Sequence, residues 1–156
     1  MLKIAVITVS DRAFSGEYED LSGPKIKEIL SAADPAAEVS LTVVPDEKDK
    51  IKQAIEDNIG KDYIFTTGGT GISSRDITPE VTGGICEKEL PGISEMLRRE
   101  SYKETKNAVL SRGFSGIKDK TIIVNFPGSV KAVTLCTNLL LPILKHGIKM
   151  LHGGKH

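Results

Sequence analysis

The sequence predicts an α/β protein: one three-layer α/β/α domain spanning residues 1–156, with a mostly parallel central sheet. Three observations carry this expectation. Short β-branched runs alternate along the chain with patterns of helical period, the order that builds parallel sheets with helical crossovers. The first of these runs, "KIAVITVS", is continuously β-branched, as in a strand covered on both faces of a parallel sheet. No repeat, low-complexity tract or linker interrupts them, and 156 residues can bury a core without metal or disulfide staples.

The elements follow in order. "KIAVITVS" is a first, fully buried strand. After a polar loop, "SGPKIKEILSAA" opens on a capping serine and sets Ile26, Ile29, Leu30 and Ala33 at helical spacing. "EVSLTVVP" is the second strand, and "DEKDKIKQAIEDNIG" a helix with Ile51, Ala54, Ile55 and Ile59 on one face and Gly60 as its stop. "DYIFTT" is the third strand and delivers the chain into a glycine loop. A helix starts near Thr78-Pro79-Glu80, with Pro79 at the first helical position, and another spans "PGISEMLRRESYKE". "AVLSRGFSG" reads as a weak edge strand and "KTIIVNFPGS" as a strong one. A last helix from about Ser129 to Met150 carries Val130, Val133, Thr137, Leu140, Leu141 and Leu144, with Pro142 as a kink.

Composition narrows the function. Twenty-one basic and twenty-one acidic residues balance to zero net charge, which argues against nucleic acid or an anionic membrane as partner, so phosphate binding must be local. Cys86 and Cys136 stand apart with no Cys-x-x-Cys or Cys/His cluster and read as reduced packing residues. The N-terminus lacks a signal-peptide pattern, and no apolar run reaches the length of a spanning helix. A soluble, cytoplasmic protein is expected. His146, His152 and His156 gather at the C-terminus, where a frayed end outweighs an adventitious metal site.

The stretch "IFTTGGTGISSRDITPE" is poor at packing and suited to holding a ligand. Gly68, Gly69 and Gly71 let backbone N–H groups approach a phosphate, with Thr67 and Thr70 hydroxyls as further donors. It is neither a P-loop nor Gly-x-Gly-x-x-Gly, and a tight strand-to-helix turn also needs glycine. Asp76 and Asp46 each precede a helix. Each is a cap on one reading and a Mg²⁺ ligand or catalytic carboxylate on the other. Ligands of parallel sheets gather beyond the carboxyl ends of the strands, and "SDR", "PDE", "TTGGTG" and "NFPGS" all follow strands. These four segments should converge on one rim, where two carboxylates beside a phosphate loop suit metal-assisted nucleotidyl transfer.

From Lys3 to about Leu151, "VITVSDRAFSGEYEDLSGP", "VVPDE", "TTGGTG", "RDITPE", "PGISEMLR", "LSR" and "NFPGS" occur in an order that resembles the molybdopterin-binding domain of molybdenum cofactor biosynthesis, in the MogA/MoaB-type adenylyltransferases. The resemblance implies Mg²⁺-dependent transfer of AMP from ATP to molybdopterin, giving adenylylated molybdopterin and pyrophosphate. It implies Asp46 and Asp76 as catalytic, metal-holding aspartates, and Thr67, Gly68, Gly69, Thr70, Gly71 and Glu80 around the nucleotide phosphates. Ser10, Asp11, Ser111, Arg112, Asn125, Pro127, Gly128 and Ser129 are implied at molybdopterin. Asn125 as a turn cap, Arg112 as a surface charge and Ser129 as a helix start remain the alternatives. The resemblance further implies a homotrimer or hexamer and delivery of product to a downstream molybdate-insertion protein. The other classes are a binding-only molybdopterin module, against which the retention of both aspartates counts, and a scaffold domain.

Overall fold

Six strands form one sheet in the order β2-β1-β3-β6-β5-β4 in the computed structural model, which describes residues 1–155; His156, grouped above with the other histidines, lies outside them. The strands β1 (Lys3–Val9), β2 (Glu38–Val44), β3 (Tyr63–Thr67) and β6 (Thr121–Phe126) run parallel. Two antiparallel strands, β5 (Ser115–Lys118) and β4 (Lys88–Glu89), complete the far edge. Every residue of β3 and β6 is buried, the polar Thr66, Thr67, Thr121 and Asn125 among them.

Alternation along these strands feeds two cores. Ile4, Val6, Tyr63, Phe65, Ile122, Val124 and Phe126 face helices α2 (Ser22–Ala33), α5 (Pro91–Glu104) and α6 (Val130–Leu140). Ala5, Ile7, Val9, Ile64 and Ile123 face α3 (Lys48–Glu56) and α4 (Thr78–Ile85). Phe65 stacks on Phe126 with centroids 5.0 Å apart, and the Tyr63 hydroxyl donates to the Leu144 carbonyl at 2.8 Å. Each such side chain removed from water stabilises the fold by about 1.5–3 kcal/mol.

Several local expectations are corrected. β2 is the sheet edge, with Ser40, Leu41 and Thr42 exposed. Ser22 lies inside α2 and caps nothing; Asp20 Oδ1 accepts from Gly23 N at 3.2 Å instead. Ala33 of that helix is exposed. The second helix ends at Glu56, four residues before Gly60, which turns the chain at φ +107°. Helix α4 begins at Thr78, one residue before Pro79. In "AVLSRGFSG", Lys106–Leu110 forms a 3₁₀ turn and the strand starts only at Ser115. The last helix is two: α6, a 3₁₀ turn over Leu141–Ile143 holding Pro142, and α7 (Leu144–Leu151). The loop after β1 contains a five-residue helix, α1 (Asp11–Ser15), capped by Ser10 Oγ.

Candidate functional site

The site arises where the topology reverses. From β1 the chain crosses to α2 on one face and returns in β2; from β3 it passes to α4 on the other face. Loops leaving adjacent strands on opposite faces must part, and the gap between them is a crevice. Here it is an open cleft of about 530 Å³. Its walls bring together Ser10, Asp11, Asp46, Thr67, Gly68, Gly69, Asp76, Gly128 and Ser129, from all four segments expected at one rim.

Two of these segments are sewn together. Asp11 N donates to Asp46 Oδ2 at 3.0 Å, and Asp46 N donates back to Asp11 Oδ1 at 2.9 Å. Arg75 grips the Asp11 carboxylate through Nε and Nη2 at 2.8–3.1 Å. Those hydrogen bonds hold the Asp11 carboxyl below its usual range. Asp46 is shifted the other way. Burial raises its pKa most, and the negative charges of Asp11 and Asp76 add to the rise against the opposing Asp11 amide and Arg75. Neither Asp46 nor Asp76 is a helix cap. The cap position of α3 is Glu47, that of α4 is Ile77, and neither end has a side-chain cap. Asp76 Oδ2 instead accepts from Ser73 N and Oγ at 3.0 and 2.8 Å, closing its own turn.

The glycine loop runs between these two carboxylates. A Cβ on Gly69 would lie 3.2 Å from Asp46 Oδ1, and one on Gly71 would lie 2.8 Å from Asp76 Oδ2. Gly68 and Gly69 hold φ of +99° and +69°, a region costly for other residues. Part of the glycine requirement is steric, since a Cβ on Gly68 would overlap the Val9 carbonyl and one on Gly69 the Thr78 hydroxyl. Thr67 Oγ1 is engaged by the Pro127 carbonyl at 2.7 Å, and Thr78 binds the Gly68 and Gly69 carbonyls. Arg112 lies behind the loop, donating to the carbonyls of Gly71 and Asp76 at 2.8 and 2.7 Å and pairing with Glu80. Arg112 and Glu80 line neither this cleft nor the one described next.

On the other side of the loop lies a second, mainly apolar cleft of about 380 Å³, where Thr70, Gly71, Ser111, Pro127 and Ser129 meet Ile72, Leu110, Ala132 and Leu135. A small pouch continues inward past Ser101, Ala108, Ser111 and Pro127. Asn125 lines only that pouch. Its Nδ2 donates to Thr66 and Thr82 hydroxyls at 2.8 and 3.0 Å, and its Oδ1 accepts from Phe114 N at 3.1 Å. That amide fastens β6 to β3, α4 and the 111–114 segment. Burial raises the thiols of Cys86 and Cys136 to about 11, so both are protonated at neutral pH and pack.

Sequence reasoning missed the residues that shape the acidic cleft. Asp20 accepts from Thr8 Oγ1 at 2.9 Å and from the first turn of α2, and Tyr18, Glu19 and Arg12 line the same walls. The available signal was Asp20 three residues ahead of Gly23, a capping spacing. Arg75 had no local signal, because its partner Asp11 lies 64 positions away.

Residues 5–146 match the protein family described as "probable molybdopterin binding domain". A molybdopterin adenylyltransferase of Helicobacter pylori is 40% identical over 157 residues, covering 97% of this chain and 89% of that protein. Among solved structures, the molybdopterin biosynthesis enzyme MoaB of Thermus thermophilus superposes with a TM-score of 0.88 at 37% identity, covering 98% of each chain. The tungsten cofactor synthesizing protein MoaB of Pyrococcus furiosus gives a TM-score of 0.88 at 38% identity, covering 97% of each.

Proposed function

This chain belongs to the molybdopterin-binding domain family, and on that premise we propose that it transfers AMP from ATP to molybdopterin, releasing pyrophosphate. We read residues 1–156 as one such domain. The observation that carries the reading is the charge of the larger cleft: Asp11, Glu19, Asp20, Asp46 and Asp76 line it with Arg12, and Arg75 pairs with Asp11, which leaves four carboxylates against one cleft-lining arginine. A wall so acidic repels bare polyphosphate and suits one that arrives with a cation.

The donor set fits Mg²⁺. Asp46 and Asp76 offer hard carboxylate oxygens, and the pKa of Asp46 is raised mainly by its burial, with the charges of Asp11 and Asp76 adding to the rise. Among the described residues no group of three or more His, Cys, Asp or Glu could hold a metal. Two carboxylates completed by substrate phosphate are the usual way in which Mg²⁺ is bound. When bound, the cation supplies charge neutralisation at the transferring phosphoryl group.

The chain's own groups do the rest. Gly128, Ser129 and Val130 present the N-terminus of α6 to the cleft, where backbone N–H groups favour phosphate. The glycine loop admits the polyphosphate between Asp46 and Asp76. The apolar cleft takes the pterin, and Ser129 borders both clefts, so the two ligands meet along the glycine loop and Ser129. An oxygen of the molybdopterin phosphate then bonds to the α-phosphorus as the bond to pyrophosphate breaks. A phosphate monoester is a weak nucleophile towards an anionic triphosphate, so alignment and charge stabilisation must supply the rate.

Full-length protein, molybdopterin, Mg²⁺ and labelled ATP, read for adenylylated molybdopterin, test this reading. Tight pterin binding without transfer would replace it with the binding-only module. A homotrimer is part of the proposal, supported by exposed Phe14 and Val109 outside both clefts; sedimentation separates it from a hexamer. A cytoplasmic location and delivery of product to a molybdate-insertion protein complete it. No helix among the described residues is long and apolar enough to cross a membrane.

A further inference from the structure

We propose that Arg112 and Glu80 form a strut that positions Asp76 and the glycine loop without touching either ligand. The inference rests on the adenylyl-transfer reading for its kinetic consequences but not for its geometry. Arg112 reaches the loop three ways and helix α4 a fourth. Its backbone N donates to the Thr70 carbonyl at 2.8 Å, Nε to the Gly71 carbonyl at 2.8 Å and Nη2 to the Asp76 carbonyl at 2.7 Å, while Nη1 pairs with Glu80. One side chain therefore fastens both ends of the turn from Gly71 to Asp76.

The partner matters as much as the reach. Glu80 stands in the first turn of α4, and the Arg112 hydrogen bond holds its carboxyl below the usual range. Helix α4 is itself tied to the loop through Thr78 N to the Gly69 carbonyl at 3.1 Å. Loop, helix and the segment before β5 thus form one braced unit. A planar guanidinium spreads its donors in a fixed fork that reaches two carbonyls and a carboxylate at once; the three donors of an ammonium radiate from one nitrogen and do not span them. With the backbone of Asp76 fixed from behind and its Oδ2 held by Ser73, the carboxylate has little freedom left.

The test compares Arg112→Lys, Arg112→Met and Glu80→Gln in the full chain. A strut predicts that molybdopterin affinity, measured without ATP, falls far less than turnover in all three, since Arg112 holds the carbonyls of Thr70 and Gly71 and does not itself line the apolar cleft. It predicts that turnover falls by about a hundredfold in Arg112→Met, as for a misplaced catalytic group, and less in Arg112→Lys and Glu80→Gln. Amide exchange at Ser73, Asp76 and Thr78, each hydrogen-bonded within the braced unit, should quicken by about tenfold or more in Arg112→Met. Should that variant not fold, Glu80→Gln, which removes only the charge behind one contact, carries the comparison. Molybdopterin affinity lost in proportion to turnover, with exchange at these amides unchanged, would overturn the strut in favour of a ligand contact. Wild-type turnover and exchange in every variant would overturn it as well. A wild-type chain that transfers no AMP would instead sink the proposed function, and the exchange measurement would still decide the strut.

Discussion

Asp46 sits where the fold disfavours a charge, half-buried and facing the charges of Asp11 and Asp76. Its pKa is raised in the folded state, so the native protein holds its proton more firmly than the unfolded chain does. The favourable contribution is therefore present below the unfolded value near 3.8 and is lost as pH rises through the folded value. At neutral pH the ionised carboxylate costs stability. Asp46→Asn removes that cost and keeps an oxygen for the Asp11 amide. The expected outcome is a higher melting temperature at pH 7, with the gain shrinking as pH falls into the carboxylate range, together with a fall in AMP transfer of about a hundredfold or more. Asp76→Asn should lose transfer similarly and still accept from Ser73. Melting curves at several pH values and single-turnover transfer on both variants check this, and unimpaired transfer in both would end the catalytic assignment. Such a trade of stability for function is common where a site must hold unneutralised charge.

At the scale of elements, the glycine loop and the helix that follows it give opposite expectations for one chemical change. Gly69→Ala places a Cβ against the Thr78 hydroxyl at φ +69°; it should cost about 1–3 kcal/mol and weaken ATP binding, because the loop must shift from between Asp46 and Asp76. Gly84→Ala lies in α4 with nothing within 4 Å of the new methyl and should stabilise by about 0.5–1 kcal/mol. Denaturant midpoints and ATP calorimetry on the pair check both signs. The same elements show what the sequence could reveal. Strands β1, β3 and β6 and helix α5 were legible because periodicity and runs of Ile and Val are local signals. The edge position of β2 was not, since it is set by partner order and not by composition. "AVLSRGFSG" misled for a related reason. Leu110 and Val109 stay exposed while Arg112 turns its segment back onto the glycine loop, a contact made across 41 residues. Asp46, Asp76 and the loop were found as residue types in order; their spacing in the cleft, and the roles of Asp20 and Arg75, depend on which strands adjoin.

For the whole molecule, neutral net charge conceals a divided surface, with the acidic cleft on one side of the glycine loop and the apolar cleft on the other. Ligands of different character should therefore stabilise the fold under different conditions. A ligand that binds only the native state adds about 2.7 kcal/mol at a hundred times its dissociation constant. ATP alone must enter a cleft lined by five carboxylates and Arg12, with Arg75 paired to one of the five, and its own negative charge opposes binding; with EDTA present it should leave the melting temperature nearly unchanged. Mg²⁺ alone meets two carboxylates and too few ligands, so its effect should be small. Together they should raise the melting temperature by several degrees, more than the sum of the separate shifts, because each supplies what the other lacks. That excess should vanish in Asp46→Asn, whose fold is the more stable at pH 7 without ligand. A thermal series with ATP, Mg²⁺, both, and both plus EDTA, on wild type and this variant, measures it. Equal stabilisation by ATP with and without the cation would show that the acidic cleft is not where the nucleotide binds.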